Sequence, residues 1–172
     1  SDSILKRMGR RYTRDYIGGL VKKLNTSIHG IGIGMDVIVG FPGEDESNFL
    51  ETSRFLADLD IYYLHVFPFS ARKGTKAATI DSAVNETAKK ERVLLLRKLD
   101  GVKRRRFHER FLGQTACMLA EGKLLRNLYT RGYTENYIPV CIPYEKNLEN
   151  NLVNVTIREL RDNLVIGELV AS

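Results

Sequence analysis

The chain has 172 residues and a mass of 19.6 kDa, which suits one large domain or two small ones. Hydrophobic residues make up 43% and charged residues 28%, with only 4 Pro, which excludes disordered, collagen-like and disulfide-scaffold proteins. No apolar run approaches the roughly 20 residues that cross a bilayer, and residues 1–14 lack the hydrophobic centre of a secretory signal. We therefore predict a cytoplasmic protein with no membrane partner. Because the sequence starts without Met, we also expect it to be a piece of a longer protein.

The net charge of +6 is unevenly distributed along the chain. Residues 89–110 hold ten basic and three acidic side chains, and residues 1–23 hold seven basic and two acidic ones. Such clustering suits a surface that binds a polyphosphate such as RNA. A solvated helix face explains the same pattern equally well.

The first part of the chain predicts helices around a parallel pair of strands. Thr13 caps a helix whose apolar stripe is Tyr16, Ile17, Leu20, Val21 and Leu24. Met35–Val39 is a β-branched strand that ends at a Gly-Phe-Pro-Gly turn, and Asp45 caps the next helix, which leads into a second strand, Ile61–Phe67. Strand, helix and strand in this order predict a parallel crossover.

Asn85 is predicted to open a third, long helix that carries the basic cluster on its outer side. The inward residues of this helix are expected to be Val93, Leu96, Leu99 and Val102.

The sequence pattern changes after Phe111. From there, short segments in which apolar and polar residues alternate follow one another, separated by Gly, Asn and Pro. Five strands are expected in the segments 115–121, 125–132, 138–142, 153–157 and 164–170. They predict a small five-stranded antiparallel β-barrel of the OB-like kind. The fold class is thus α/β plus all-β, with domains at 1–111 and 112–172. Cys117 and Cys141 fall in these apolar segments and are interpreted as small core residues in a reducing compartment.

Several familiar chemistries are not indicated by this sequence. The glycines in 30–34 precede a strand, whereas a dinucleotide fingerprint must follow one. His29, His65 and His108 are scattered over three elements, so no triad and no metal shell is predicted. Two turns remain: the one after Val39, and the segment Phe67–Thr75 after the second strand. Because ligands bind at the carboxyl ends of parallel strands, both turns are expected to face one site.

Three ordered blocks and the tail resemble one protein family. The blocks are Leu5–Arg14 (LKRMGRRYTR), Met35–Glu44 (MDVIVGFPGE) and Phe67–Thr75 (FPFSARKGT). In this order they resemble the radical S-adenosylmethionine methylthiotransferases that modify tRNA. The tail segments GQT (113–115), RGYTENY (131–137) and IGE (166–168) are similar to the TRAM domain that closes those enzymes. The RGYTENY segment is most similar to the branch that acts on threonylcarbamoyladenosine beside the anticodon.

The resemblance implies the carboxyl-terminal part of a radical-S-adenosylmethionine partial (βα) barrel followed by a TRAM barrel. It also implies a mechanism in which a four-iron cluster held by three Cys cleaves S-adenosylmethionine to a radical, and a second cluster helps to deliver sulfur to the base. This chain has 2 Cys, neither in a Cys-x-x-x-Cys-x-x-Cys arrangement. We expect both four-iron four-sulfur clusters and S-adenosylmethionine in the full-length protein, no cofactor bound to this fragment, and no catalysis by it alone.

The resemblance also assigns residues to two sites. One set is expected to line the far wall of the S-adenosylmethionine pocket, with Arg10 or Arg11 near the methionine carboxylate and the segment 67–70 near the adenine. That set is Ser3, Arg10, Arg11, Asp36, Val39, Gly40, Phe67 and Ser70. The second set is expected to contact the anticodon stem-loop of tRNA, unless its tyrosines only pack in or beside the barrel core. That set is Lys103, Arg104, Arg105, Arg106, Arg131, Tyr133 and Tyr137.

Two other functions are compatible with the sequence: a stand-alone RNA-binding module, and, less well supported, a small-molecule βα enzyme that uses the two turns for a phosphate. The expected partners are tRNA and the amino-terminal half of the same protein. Without that half, the first strand exposes an edge. We expect self-association, a terminus or local disorder to cover it.

Overall fold

The structure is a computed structural model that describes residues 1–125 and 128–170, with the side chains of residues 123–125 left out. The chain divides into two compact units, Ser1–Lys103 and a second that begins at Arg104. This boundary lies inside a helix, whereas the sequence places the functional division between residues 111 and 112, which stays a prediction.

Among the described residues, the first unit contains three complete helices, most of a fourth that continues past Lys103, and two strands. The elements are α1 (Asp2–Arg7), α2 (Arg14–Ser27), β1 (Gly34–Val39), α3 (Glu46–Asp58), β2 (Tyr63–Pro68) and α4 (Glu86–Glu109), with a short 3₁₀ turn at Lys76–Thr79. Thr13 and Asp45 cap α2 and α3 as predicted, each accepting a hydrogen bond from a first-turn N–H. The bond from Asn48 N–H holds the pKa of Asp45 below its usual value. Asn85 Oδ1 accepts from Thr87 N–H at the start of α4.

The strands β1 and β2 are parallel, as the strand–helix–strand order predicts, with Val37 opposite Val66. One face of this pair is buried against the helices. Its core comprises Val37, Val39, Leu64 and Val66 from the strands with Val21, Phe49, Leu56, Val93 and Leu96 from the helices. The apolar stripe of α2 is narrower than predicted, because Tyr16 and Leu20 face solvent.

The inward face of α4 differs from the prediction. Val93 and Leu96 are buried as expected, but Val102 is 48% exposed, and Lys103 beside it is 5% exposed. Lys89 and Arg92 are also buried, so the basic cluster is not confined to the outer side of the helix. The charged ends of Arg92 and Lys103 reach polar atoms outside α4, whereas that of Lys89 pairs with Glu86 of the same helix. A long aliphatic stem can be buried while its charged end keeps a polar partner, and a hydrophobic pattern does not reveal this.

The second unit closes a barrel of five strands: β3 (Thr115–Leu125), β4 (Tyr129–Thr134), β5 (Pro139–Pro143), β6 (Leu152–Arg161) and β7 (Leu164–Leu169). The predicted five-stranded barrel is confirmed, with order β3-β4-β5-β7-β6. Part of the predicted strand 125–132 covers residues 126 and 127, which lie outside the described residues. The barrel is mixed rather than wholly antiparallel, because β5 and β7 run parallel.

The barrel interior is filled mainly by alternate side chains of the strands, as period-two patterning requires, although β5 buries three residues in succession. Met118, Ala120, Val140, Ile142, Val155 and Ile157 have no exposed surface. Gly132 permits β3 and β4 to approach closely, since a Cβ there would meet Leu119 O at 2.3 Å. Cys141 is buried as predicted, and burial raises the pKa of its thiol. Cys117 is only half-buried.

The pair of β1 and β2 and the lengths of the helices bear on two further predictions. Within the described residues, the sheet that contains β1 has no strand other than β2. What covers the free edges of this pair stays a prediction. None of the helices among the described residues combines the length and apolar character that a membrane span requires.

We predict that one buried histidine makes stability depend on pH. Burial, reinforced by the charge of Arg104, lowers the pKa of His108 from 6.5 to about 4. The unfolded chain therefore binds a proton that the folded chain excludes, and the free energy of unfolding falls as pH drops through that window. We expect a loss of about 2 kcal/mol between roughly pH 7 and pH 5 from this residue. Urea unfolding of wild type and His108→Gln measures it. Parallel curves for the two proteins would contradict the assignment.

Candidate functional site

A cleft of about 610 Å³ opens in the first unit at the carboxyl ends of β1 and β2. The turn after β1 and the segment after β2 both contribute to it, as the two strand-end turns predict. Its charged lining residues are Arg10, Arg14, Asp36, Glu44 and Arg72, its other polar ones include Ser1, Thr52 and Ser70, and its apolar ones include Ile38, Phe67 and Phe69.

The solvent face of the strand pair leads into this cleft. Parallel register places Asp36 beside His65, with the carboxylate oxygen 3.4 Å from His65 Nδ1. The ring of His65 lies 5.0 Å from that of Tyr63 and 6.4 Å from that of Phe67. Because side chains alternate along a strand, the same backbone that buries Val37 and Val66 presents this polar and aromatic row outward.

The charges of the cleft are only partly neutralised. Arg14 binds Glu51 at 2.9 Å, and Glu44 is paired with Arg92 beneath the surface. Arg10 and Arg72 have no acidic partner within the described part of the chain. The cleft thus offers guanidinium groups for an anion, a carboxylate at Asp36 for a cation or a hydroxyl, and the rings of Phe67 and Phe69 for an aromatic base.

Half of the predicted pocket residues are in the cleft lining and half are not. Arg10, Asp36, Phe67 and Ser70 line it. The other four are Ser3, whose hydroxyl donates to Asn48 Oδ1 at 2.5 Å, Arg11, which is exposed elsewhere, Val39, which belongs to the core, and Gly40, whose N–H donates to Glu44. A role for these four in binding a ligand stays a prediction.

The sequence analysis did not select Arg14 and Arg72, which also line the cleft. Ile38 and Phe69 line it too, and both fall within the segments 36–40 and 67–70 that were expected to form the pocket wall. Arg14 ends the Leu5–Arg14 block and Arg72 lies inside the Phe67–Thr75 block, so both were available to the argument that selected Arg10 and Ser70.

The second unit presents both tyrosines that were predicted to contact RNA, Tyr133 and Tyr137. Arg131 donates to the hydroxyl of Tyr133 at 2.6 Å, and its guanidinium carbon is 5.1 Å from the ring centre. Tyr137 lies in the β4–β5 turn with φ of 63°, and the residue is 74% exposed. An L-residue is strained in this left-handed conformation, and Tyr137 does not pack in the barrel core.

The basic residues 103–106 at the end of α4 differ in how far they are exposed to solvent. Lys103 is buried, and its ammonium donates to the carbonyls of Leu59 and Ala57 at 2.6 and 3.2 Å, at the carboxyl end of α3. This placement does not fit a phosphate contact, so Lys103 is not part of the proposal below. Arg104 is half-buried, whereas Arg105 and Arg106 are exposed. Arg105 forms an i,i+4 pair with Glu109 at 2.8 Å.

The described residues do not fit an iron–sulfur cluster. Within residues 1–125 and 128–170, no group of three or more His, Cys, Asp and Glu side chains is arranged to hold a metal ion. The 2 Cys of the chain are too few for the three thiolates that such a cluster takes from the family.

Comparison with known proteins identifies relatives of this chain, although no family model matches it. It is 34% identical over 161 residues to the threonylcarbamoyladenosine tRNA methylthiotransferase MtaB of Bacillus subtilis, covering 91% of this chain and 36% of that protein. It is 35% identical over 173 residues to the tRNA-2-methylthio-N(6)-dimethylallyladenosine synthase of Fusobacterium nucleatum, covering 99% and 39%. The MtaB of Aquifex aeolicus is 41% identical over 142 residues, covering 81% and 33%.

The sequence that forms this α/β unit and the following β-barrel is thus similar to the sequences of enzymes that are named for tRNA modification. The chain is homologous, over nearly its whole length, to the carboxyl-terminal third of the tRNA methylthiotransferases. It spans about 33 to 39% of the length of these three relatives.

Proposed function

We propose that this chain is the carboxyl-terminal part of a tRNA methylthiotransferase. In this proposal the whole protein adds a methylthio group to C2 of a modified adenosine next to the anticodon, and threonylcarbamoyladenosine is the favoured substrate. The main support is the cleft at the ends of β1 and β2. Two guanidinium groups that have no acidic partner among the described residues lie there with a carboxylate and aromatic rings, in a chain with this homology.

The cleft fits the binding of S-adenosylmethionine. Its methionine part carries both a carboxylate, which suits Arg10 or Arg72, and an ammonium, which suits Asp36. Its adenine suits the rings of Phe67 and Phe69. When bound, S-adenosylmethionine supplies the methyl group and the radical that the family's reaction requires. The residues of this chain then hold and orient it, whereas the cluster ligands belong to other polypeptide.

The barrel and the exposed end of α4 are proposed to bind the tRNA. Arg105 and Arg106 offer charge for phosphates, and Tyr137 offers an exposed ring on which an unpaired base stacks. Arg131 and Tyr133 form a stacked pair of a kind that also receives bases. A stand-alone RNA-binding module is the second candidate function, which the closed barrel favours because its strand order needs no further strand.

We predict that Arg10→Gln combined with Arg72→Gln weakens binding of S-adenosylhomocysteine, which keeps the carboxylate, ammonium and adenosine. A lost charge-assisted hydrogen bond costs about 1.5 to 3 kcal/mol, or roughly tenfold to a hundredfold in affinity. Isothermal calorimetry measures it, with Arg54→Gln on the exposed side of α3 as a matched control. Adenosine, which lacks the carboxylate, should bind both proteins equally. Unchanged affinity for S-adenosylhomocysteine would refute this assignment of the cleft.

We predict that an anticodon stem-loop binds with strong salt dependence. Removing two phosphate contacts through Arg105→Gln and Arg106→Gln should reduce the log–log salt slope by about 1.5. Lys22→Gln with Lys23→Gln, on the exposed face of α2, is the matched control. Tyr137→Gly should lower affinity by about 1 to 3 kcal/mol without changing the slope. Gel-shift titrations from low to high salt decide this, and a slope equal in all four proteins would exclude this RNA surface.

We predict that the chain alone does not cleave S-adenosylmethionine, because it lacks the thiolates for a cluster. The protein is incubated anaerobically with iron, sulfide and a reductant, and 5′-deoxyadenosine is measured by chromatography. A full-length relative treated in the same way is the positive control. Production of 5′-deoxyadenosine by this chain at the rate of the control would show that the fragment is not inert.

A further inference from the structure

A buried ion pair lies beneath the turn that follows β1. Arg92 on α4 and Glu44 at the end of the turn have side chains that are 7% and 3% exposed. Neither residue was selected by the sequence analysis, which interpreted Arg92 as part of an outward basic cluster. The pair is formed by residues far apart in the chain and joins α4 to the strand-end turn.

The contacts of Glu44 close the turn at both ends. Its Oε1 accepts a hydrogen bond from Gly40 N–H at 2.9 Å and another from Arg92 Nη1 at 2.6 Å. The same Nη1 donates to the carbonyl oxygen of Glu44 at 3.0 Å. Gly40 has φ of 74°, a left-handed conformation that glycine adopts without strain. The Arg92 guanidinium thus holds both the carbonyl and the carboxylate of Glu44, and the same carboxylate accepts the hydrogen bond from Gly40 N–H.

The turn is directly connected to the cleft. Glu44 itself contributes to the cleft lining. The ring of Phe41, buried within the turn, packs edge-on against Phe69 at 5.2 Å, and Phe69 also lines the cleft. Phe69 N–H donates to Val39 O, the last residue before the turn, at 2.8 Å. A displacement of the turn therefore moves the aromatic wall of the cleft.

Global stability does not explain this arrangement well. Removing two charges from water costs about as much as their attraction returns, and apolar replacements of similar volume are often neutral. The guanidinium also leaves its buried Nε without a hydrogen-bond partner within the described residues, which is a further cost. The pair gives geometry instead, because its hydrogen bonds fix the direction of each group.

We propose that Arg92 and Glu44 are positioning residues that hold the Gly40–Glu44 turn in the form required for ligand binding in the cleft. This inference rests on the proposed function, in which the ligand is S-adenosylmethionine. Neither side chain needs to touch the reacting atoms, since the effect passes through the turn and Phe41 to Phe69.

The test replaces both charges together, with Arg92→Met and Glu44→Leu in one protein, so that no buried charge is left alone. Its stability in urea is expected to stay close to that of wild type. Lys103→Met is the matched control, because it removes another buried cation of α4 whose contacts are the carbonyls of Ala57 and Leu59. Two quantities are measured in each protein: hydrogen exchange of the Gly40 amide, and affinity for S-adenosylhomocysteine.

The proposal expects the double variant to exchange the Gly40 amide at least about tenfold faster and to bind the ligand about tenfold more weakly. Lys103→Met is expected to change neither quantity under conditions where the Gly40 amide exchanges through local opening rather than global unfolding. Wild-type affinity in the double variant would overturn the proposal, and so would weaker binding with Gly40 protection unchanged. If wild type itself does not bind S-adenosylhomocysteine, the proposed function of the cleft fails, and Gly40 exchange still shows whether the pair holds the turn.

Discussion

The first unit depends on how α4 finds partners for the cations that it buries. A helix with a basic residue at most turns cannot keep all of them outward, and those that face inward need acceptors. Arg92 and Lys103 both use acceptors outside α4: a carboxylate at the end of the β1 turn, and the last carbonyls of α3. Asp100 adds a fourth element, accepting from Leu64 N–H in β2 at 2.7 Å. The polar groups of α4 thereby join the helix to the β1 turn, to β2 and to α3, in addition to the contacts of its buried apolar side chains.

The cleft follows from the alternation of the two strands. One face of β1 and β2 is used for the core, so every second side chain is free to face a ligand. Parallel register then brings Asp36 next to His65 and places Phe67 opposite Ile38. Because both strands point the same way, their terminal turns meet at one end. A ligand there encounters polar, aromatic and cationic groups together, although they come from separate segments of the sequence.

The sequence predicted the fold better than the site. N-caps at Thr13 and Asp45, the parallel strands and the five-stranded barrel follow from local patterns that each involve a few neighbouring residues. The parallel direction of β5 and β7 does not, because alternation is the same in both directions. Within the site, motif blocks identified Arg10, Asp36, Phe67 and Ser70. Arg14 and Arg72 lie inside the first and third blocks, but nothing in those blocks separates them from other basic residues such as Arg11. Nor did the sequence indicate that Lys103 is buried, because the environment of a long cationic side chain depends on tertiary packing rather than on its own segment.

The one parallel ladder of the barrel is also its shortest. Val140 and Val165, with Cys141 and Ile166, are the two residue pairs that join β5 to β7, whereas β4 and β5 share five. The cylinder is therefore closed at this seam by fewer main-chain pairs than at its other ladders. Cys141 lies in the seam and is buried within the closed barrel. A thiol reagent that reaches Cys141 would thus report that the seam has opened.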